Sequence, residues 1–407
     1  MSFSFFVAAL SALLLYVSGF LELATYFDQR SARALMVSMI WLLSLVVFIY
    51  NIRNINEISP FHIIFIIFTV YATLVAVVRG GTVDAISPLL RLSTYMMFSL
   101  VFFNLLNKEE KRVIVKLQVF FLVFALCCIC QTIYDYIFGR SILMNGANRY
   151  FGSVGSPVGF AAICFVNLCA SCYFWINLRK NSWLIVSISL VLVVFMTATR
   201  ATSVVGIFVL LFAVFIYLRK PYKIVFCILT PFFIVLVYYF FDVFFRVEDI
   251  GAISRLMKTL DGDALDNSSS FRMFILDTVS DNITIDELLF GNGLGSFNSW
   301  FLDKTGINGV APHFEVLWIV FEFGLVPFVI VFIYSLSLLL ISFLNYVEGV
   351  VRSDNFFIIL MALLIPQVFL QLSNPFYFYQ FVVLYSLISS LALSKLNIEC
   401  FRIIRSR

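Results

Sequence analysis

The sequence His313-Phe-Glu-Val-Leu-Trp-Ile-Val-Phe-Glu-Phe-Gly324 follows the only long polar segment of the chain, residues 246–312. Apolar residues resume within this sequence and continue well past it, so the chain re-enters an apolar environment here. A histidine and two glutamates are costly to bury at such a boundary, and ionisable residues at membrane depth mark candidate functional sites. This stretch therefore divides the chain and is also its first candidate for function.

The composition places the rest of the chain in a membrane. The protein is 62% hydrophobic and 12% charged, which is about half the charge of a soluble domain. Several apolar runs reach the roughly 20 residues that a helix needs to cross a bilayer core. A β-barrel is excluded, because its strands would alternate apolar and polar residues. The predicted fold class is all-α: a polytopic integral membrane protein whose single membrane domain covers residues 1–407.

The apolar runs predict about twelve transmembrane helices and one large loop, residues 246–312, which contains short helices. The first run lacks a basic leader and a cleavage site, so we expect it to be retained as a helix. The predicted spans are residues 3–25, 34–50, 60–78, 88–106, 113–137, 154–177, 182–197, 202–218, 223–245, 326–345, 355–372 and 376–394.

The basic residues predict the orientation of these spans. With both termini cytoplasmic, 15 of the 27 lysines and arginines lie in inward loops and tails, 7 in the outward short loops and 5 in residues 246–312. Because cytoplasmic loops carry the excess of basic residues, the large loop faces outward. All seven basic residues of the outward short loops are arginine, whose planar fork of donors suits phosphate. Two interpretations stay open: chance with lipid headgroup contact, or an outward site for a phosphorylated ligand.

The segment Ser268-Ser-Ser-Phe-Arg272 predicts the cap and first turn of a helix that runs to about Asp281. A cation in the first turn of a helix is unfavourable, because it opposes the helix dipole. An anion bound at the free N–H groups there would offset this cost. The alternative for Arg272 is a salt bridge to a loop carboxylate such as Asp277.

The run from His313 to Tyr346 would be about 50 Å long as one helix, whereas a bilayer core is about 30 Å thick. Gly324 and Pro327 offer a break. We therefore expect a short helix that ends at Gly324 at the outer interface, and a span that begins near Val326.

On the short helix Glu315 and Glu322 share a face, and His313 lies roughly opposite. This is no zinc-type arrangement, so neither a metal nor another cofactor is expected. Glu322 can also be explained by a buried hydrogen bond to a neighbouring helix, and His313 by a place at the interface.

Other motifs predict less chemistry. Gly291-Asn-Gly-Leu-Gly295 is interpreted as a turn with close backbone approach, because it lacks the glycine spacing of a nucleotide loop. Asp261-Gly-Asp-Ala-Leu-Asp266 misses the order of a calcium loop and fits a solvated segment. No run of basic residues indicates nucleic-acid binding.

Five segments match, in order, the motifs of a known family. The chain resembles the O-antigen polymerase and ligase superfamily of bacterial inner membranes over about residues 149–324. It departs from the pattern at Phe314, where many members have Asn, and by one residue in the spacing of the third motif. The matching segments are Asn148-Arg-Tyr-Phe-Gly-Ser-Val-Gly-Ser-Pro157, Thr197-Ala-Thr-Arg200, Ser270-Phe-Arg272, Leu289-Phe-Gly-Asn-Gly-Leu-Gly295 and the spacing His313, Leu317, Glu322, Gly324.

The resemblance implies a metal-independent glycosyl transfer at the periplasmic face of the inner membrane, from an oligosaccharide on undecaprenyl pyrophosphate. Arg149, Arg200 and Arg272 would bind the pyrophosphate, whose negative charge grows as it leaves. His313 or Glu315 would orient or deprotonate the attacking hydroxyl. The residues implied to support this site are Glu322 and Gly324.

The acceptor stays open between a lipid-linked repeat unit, as in a polymerase, lipid A core, as in a ligase, and protein hydroxyls. The segment Pro312–Glu315 favours a polymerase. A flippase or exporter of the lipid-linked sugar is the alternative outside enzymes, but it would distribute its charges through the spans. Besides the bilayer, the implied partners are a chain-length regulator and a flippase of the same pathway.

The orientation is tested by labelling from outside with a membrane-impermeant thiol reagent. We expect Ser268→Cys to be labelled and Lys220→Cys to be protected, with the unsubstituted protein as the background control. The reverse pattern would turn the chain over and move the proposed site to the cytoplasmic side.

Overall fold

The computed structural model describes residues 2–17, 29–144, 147–154, 156–197, 199–219, 222–226, 229–230, 267–307, 315–370 and 379–406. These residues are almost entirely helical, as expected for an all-α membrane protein. Within the described residues, five helices are long and apolar enough to cross a membrane.

The helices are α1 (Ser2–Tyr16), α2 (Gln29–Asn51), α3 (Pro60–Val78), α4 (Thr82–Ile137), α5 (Pro157–Leu178), α6 (Asn181–Met196), α7 (Arg200–Tyr217), α8 (Asn267–Asn282), α9 (Ile285–Phe290), α10 (Phe297–Thr305), α11 (Glu315–Phe323), α12 (Leu325–Val347), α13 (Ser353–Leu370) and α14 (Tyr379–Ser406). The strands β1 (Ile142–Met144) and β2 (Ala147–Arg149) form an antiparallel hairpin, which the all-α prediction did not include.

The chain divides into two compact units: Met1–Leu117 with Ser269–Arg407, and Gln118–Ser268. In the second unit, α5 is the central helix and packs on α6 and α7. It is buried almost along its whole length, which explains why its apolar residues show no single face. The hairpin lies between the end of α4 and the start of α5.

In the first unit, α1 packs on α2 and α14, while α12, α13 and α14 pack in chain order. The polar segment contributes α8, α9 and α10 to this unit, so the short helices expected there are present. Of these, α8 and α10 share an apolar core with α11. Because apolar residues of α8 and α10 bury themselves against Phe321 of α11, the loop is held on the helix that follows it. The buried residues of this core are Ile275, Val279, Phe297, Phe301 and Phe321.

One predicted loop is largely helical in the structure, and one predicted break between helices is confirmed. The inward loop expected at residues 107–112 contains a kink at Glu109 (φ −137°, ψ 50°), where two helical segments of α4 meet, and the other residues there are helical. The residues there include good helix formers such as lysine, glutamate and arginine, with no glycine or proline to end the helix. The predicted break at Gly324 is confirmed, since α11 ends at Phe323 and α12 begins at Leu325. Most of the predicted span 223–245 lies outside the described residues.

Candidate functional site

The turn formed by residues 291–295, here called the glycine turn, caps the end of α11. The backbone N–H of Asn292 donates to the carbonyl of Phe321 at 2.7 Å, and that of Gly293 donates to the carbonyl of Glu322 at 3.0 Å. The last four carbonyls of a helix have no partner within the helix. The glycine turn therefore satisfies two of these groups on α11.

The side chain of Glu322 interacts with the start of the next helix of the loop. It is 2% exposed, and the N–H groups of Gly295 and Phe297 and the side chain of Trp318 act on it as hydrogen-bond donors. Ser296, at the cap position of α10, makes no side-chain cap bond. A carboxylate beside the first N–H groups of a helix is favoured by the dipole, so Glu322 takes the place of the missing cap.

Burial raises the pKa of Glu322 to about 7, although the hydrogen bonds and the positive charge of Arg91 act in the opposite direction. Oε2 of Glu322 has no hydrogen-bond partner among the described residues. Because burial disfavours the charged form, Glu322 keeps its proton to a higher pH than an exposed glutamate does. The buried hydrogen bonds expected for Glu322 are present, and its carboxyl changes protonation state near neutral pH.

Small residues of α3 allow the glycine turn to dock on that helix. The N–H of Leu294 donates to the carbonyl of Ala72 at 3.1 Å. A Cβ at Gly293 would lie 2.4 Å from the backbone nitrogen of Ala76, and φ at Gly293 is +92°. Only glycine combines this conformation with such close approach. The close approach expected from the sequence is confirmed, with α3 as one of its partners.

Gly324 is fixed by the same kind of contact on the other side of the turn. Its φ is +95°, and a Cβ there would lie 2.5 Å from the carbonyl oxygen of Leu289 at the end of α9. The break between α11 and α12 is therefore a point of backbone contact with the loop.

Arg79, at the end of α3, belongs to this site although the sequence did not single it out as a site residue. Its guanidinium donates to the side-chain oxygen of Asn292 and lies 3.7 Å from the carboxylate of Glu287. Glu287 in turn completes a capping box with Thr284 at the start of α9. One arginine thus links the end of α3 to two parts of the loop.

In the second unit, the backbone brings the Arg149 segment to the start of α7. Arg149 ends β2 and is 8% exposed. The N–H of the next residue, Tyr150, donates to the carbonyl of Met196 at 3.2 Å. Four residues after Met196, Arg200 begins α7, behind the cap residue Thr199. Thr199 makes no side-chain cap bond, so the N-terminal N–H groups of α7 can favour an anion.

The position of Arg272 corrects one expectation. Helix α8 begins at Asn267, so Arg272 is its sixth residue and lies beyond the first turn. The effect of a helix dipole fades within one turn, so the dipole argument for an anion at Arg272 does not hold. The serines Ser268, Ser269 and Ser270, whose sequence fits a cap, lie inside the first turn of α8.

The remaining predicted residues are only partly described. Glu315 is the first residue of α11, and the side chains of Glu315, Arg200 and Arg272 lie outside the described part of the structure. His313 and the segment 261–266 also lie outside it. Among the described side chains, no group of three histidine, cysteine, aspartate or glutamate residues could hold a metal ion.

An apolar cavity of about 180 Å³ lies in the first unit between α3, α4, α11, α12, α13 and α14. Trp318 lines this cavity, and its side chain also hydrogen-bonds to Glu322, so α11 contributes both to the cavity and to the contact with the start of α10. The aromatic residues that line the cavity include Phe61, Phe65, Trp318, Phe323, Phe328 and Tyr385.

A family model described as O-antigen ligase matches residues 185–332. This match supports the O-antigen polymerase and ligase superfamily. The matched residues include the start of α7 in the second unit, and the glycine turn and α11 in the first. No curated protein matches the chain, and no solved structure does. Together with the apolar helices, the match indicates a membrane protein of O-antigen polymerase or ligase type, an enzyme of glycosyl transfer.

The docking of the glycine turn predicts an unequal effect for two alanine substitutions. Gly293→Ala should lower the melting temperature strongly, because the new methyl group would force the turn away from Ala76. Gly306→Ala is the matched control, since φ is +74° with nothing within 4 Å of its Cβ, and it should cost only the left-handed backbone strain of about 1–2 kcal/mol. Thermal melting of the purified protein, followed by tryptophan fluorescence, makes the comparison. Equal losses would remove the packing explanation.

The pKa of Glu322 predicts a pH-dependent stability. Between pH 4.5 and about 7 the folded protein keeps the proton on Glu322 while the unfolded chain has lost it. Stability therefore falls as the pH rises through this window. Glu322→Gln is neutral at every pH. The difference between its melting temperature and that of the wild type should therefore shift in favour of the variant by several degrees from about pH 5 to about pH 8.

The control is Glu348→Gln, at an exposed position after α12, which should follow the wild type at each pH. If the Glu322→Gln profile also runs parallel to the wild type, Glu322 is ionised in the folded protein and the interpretation is wrong.

Proposed function

We propose that the protein is an inner-membrane glycosyltransferase that transfers an oligosaccharide from undecaprenyl pyrophosphate on the periplasmic face. The family match over residues 185–332 carries the proposal. It is supported by the order of the motifs along the chain and by the way the structure joins their backbones within each unit.

The reaction needs a stabilised leaving group. The acceptor oxygen forms a bond to C1 of the donor sugar, the bond from C1 to the phosphate oxygen breaks, and its electrons leave with the pyrophosphate. Arg149 and Arg200 are the proposed ligands of that pyrophosphate, because guanidinium groups bind phosphate oxygens through paired, charge-assisted hydrogen bonds. The N-terminus of α7 adds a favourable field. Arg272 keeps its proposed role through the family resemblance alone.

The acceptor hydroxyl must lose its proton as it attacks. His313 is the proposed base and Glu315 the alternative, since imidazole and carboxylate are the usual groups for this task. Glu322 and Gly324 support them indirectly by fixing α11 against the glycine turn. No step in this scheme requires a metal ion.

The lipid chain of the donor needs an apolar place. We assign a short part of it to the cavity beside Trp318. A dry apolar cavity of about 150 Å³ is large enough to bind benzene, so 180 Å³ would accommodate about one isoprene unit. Its aromatic walls suit the flat, unsaturated units of a polyprenyl chain.

Polymerase and ligase are equal candidates for the acceptor. The segment Pro312–Glu315 resembles polymerases, and the matching family model is described as a ligase. A flippase or exporter of the same lipid-linked sugar is the third candidate.

The experiment is the analysis of surface polysaccharide from a strain that lacks the protein. A polymerase predicts lipid A core that carries one repeat unit, and a ligase predicts bare core with polymer still on the lipid carrier. A flippase predicts that lipid-linked single repeats remain on the cytoplasmic side. Unchanged polysaccharide would contradict the proposal as a whole.

Complementation then tests the proposed base. His313→Ala should lower product by about a hundred- to ten-thousandfold at normal protein abundance, and His313→Gln should be equally poor because an amide cannot take up the proton. Lys304→Ala, on α10 of the same loop, is the surface control. Wild-type product from either His313 variant would remove the residue from the mechanism.

A further inference from the structure

Asp135, in the last turn of α4, is a buried carboxylate that the proposed mechanism does not use. It is 1% exposed. Its Oδ1 accepts a hydrogen bond from Gln131 at 2.8 Å, and its Oδ2 accepts one from the backbone N–H of Gly152 at 3.0 Å. A carboxylate in such a place is costly unless donors surround it, so its presence calls for a role.

Both ends of the hairpin segment attach to this one residue. Before β1, the N–H of Arg140 donates to the backbone carbonyl of Asp135 at 2.8 Å. After β2, the N–H of Gly152 donates to the side chain of Asp135. Asp135 therefore closes a loop that contains the hairpin, and Arg149 is the last residue of β2 within it.

The residues after β2, at the C-terminal end of this loop, are also held by contacts with α5 and α6. Gly152 has φ of +57°, and a Cβ there would lie 2.7 Å from the ring of Phe160 on α5. Tyr150 is bonded to Met196 at the end of α6. Arg149 thus lies one residue before a contact with α6 and three residues before the contact with Asp135, while its backbone is paired with Ile142 across the hairpin.

We propose that Asp135 is a positioning residue that fixes the Arg149 segment for binding of the lipid pyrophosphate. The inference rests on the proposed function, in which Arg149 is a pyrophosphate ligand. Asp135 itself does not contact the pyrophosphate. It acts by holding the backbone at Gly152, so that the guanidinium of Arg149 is presented in one orientation and its ordering is complete before the ligand binds.

The test measures binding of undecaprenyl pyrophosphate to the purified full-length protein, with undecaprenol as the control ligand that lacks the diphosphate. Asp135→Ala leaves the N–H of Gly152 without its partner and should weaken binding about tenfold. Asp135→Asn keeps an acceptor oxygen and should lose less. Gln131→Ala removes a partner of Asp135 but leaves the bond to Gly152, so it should bind like the wild type.

The decisive variant combines Asp135→Ala with Arg149→Ala. If Asp135 acts through Arg149, the double variant should bind no more weakly than Arg149→Ala alone. Losses that multiply would mean that Asp135 only stabilises the fold, and they would overturn the inference. If Asp135→Ala does not fold, the same cycle is run with Asp135→Asn.

The failures of the two proposals are distinguishable. Wild-type binding by the Asp135 variants, together with weak binding by Arg149→Ala, would overturn the positioning role alone. Wild-type binding by Arg149→Ala would remove Arg149 as a ligand and with it both this inference and that part of the proposed function.

Discussion

The two hydrogen bonds from the glycine turn to the end of α11 are the constraint on which the loop helices depend. Polar backbone groups near a membrane must find protein partners, because lipid offers none. Here the N–H groups of Asn292 and Gly293 satisfy carbonyls of α11, and the side chain of Glu322 acts on the start of α10. The glycine turn is thus joined to α11 through backbone groups, and the side chain of Glu322 joins α11 to the start of α10.

The same principle operates in the second unit with different residues. A side-chain carboxylate, that of Asp135, accepts the backbone N–H of Gly152, and a helix-end carbonyl, that of Met196, accepts the N–H of Tyr150. In both units a glycine-containing turn is held at a helix end, next to a residue that the family resemblance assigns to the reaction. Rigid support of this kind is what a site that stabilises developing charge requires, since preorganised groups need no reorganisation during the reaction.

The sequence predicted the features that depend on local chemistry. Glycine and proline near position 324 indicated the break after α11, and the repeated glycines at 291–295 indicated close backbone approach. It could not predict that Ala72 and Ala76 receive that turn, because alanines in an apolar span carry no signal of a partner more than 200 residues away. Arg79 and Asn292 are likewise 213 positions apart. The helix start predicted just before Arg272 is wrong for a local reason, since several polar residues in succession fit a cap equally well.

The most direct measurement gives purified protein a lipid-linked oligosaccharide and its acceptor in excess chelator, and counts free polyprenyl pyrophosphate against new glycosidic bonds. The account predicts one pyrophosphate released for each bond formed, without added metal. Passage of the lipid-linked sugar across a vesicle membrane with no release of pyrophosphate would contradict glycosyl transfer. Release that depends on added magnesium or manganese would contradict the metal-independent mechanism.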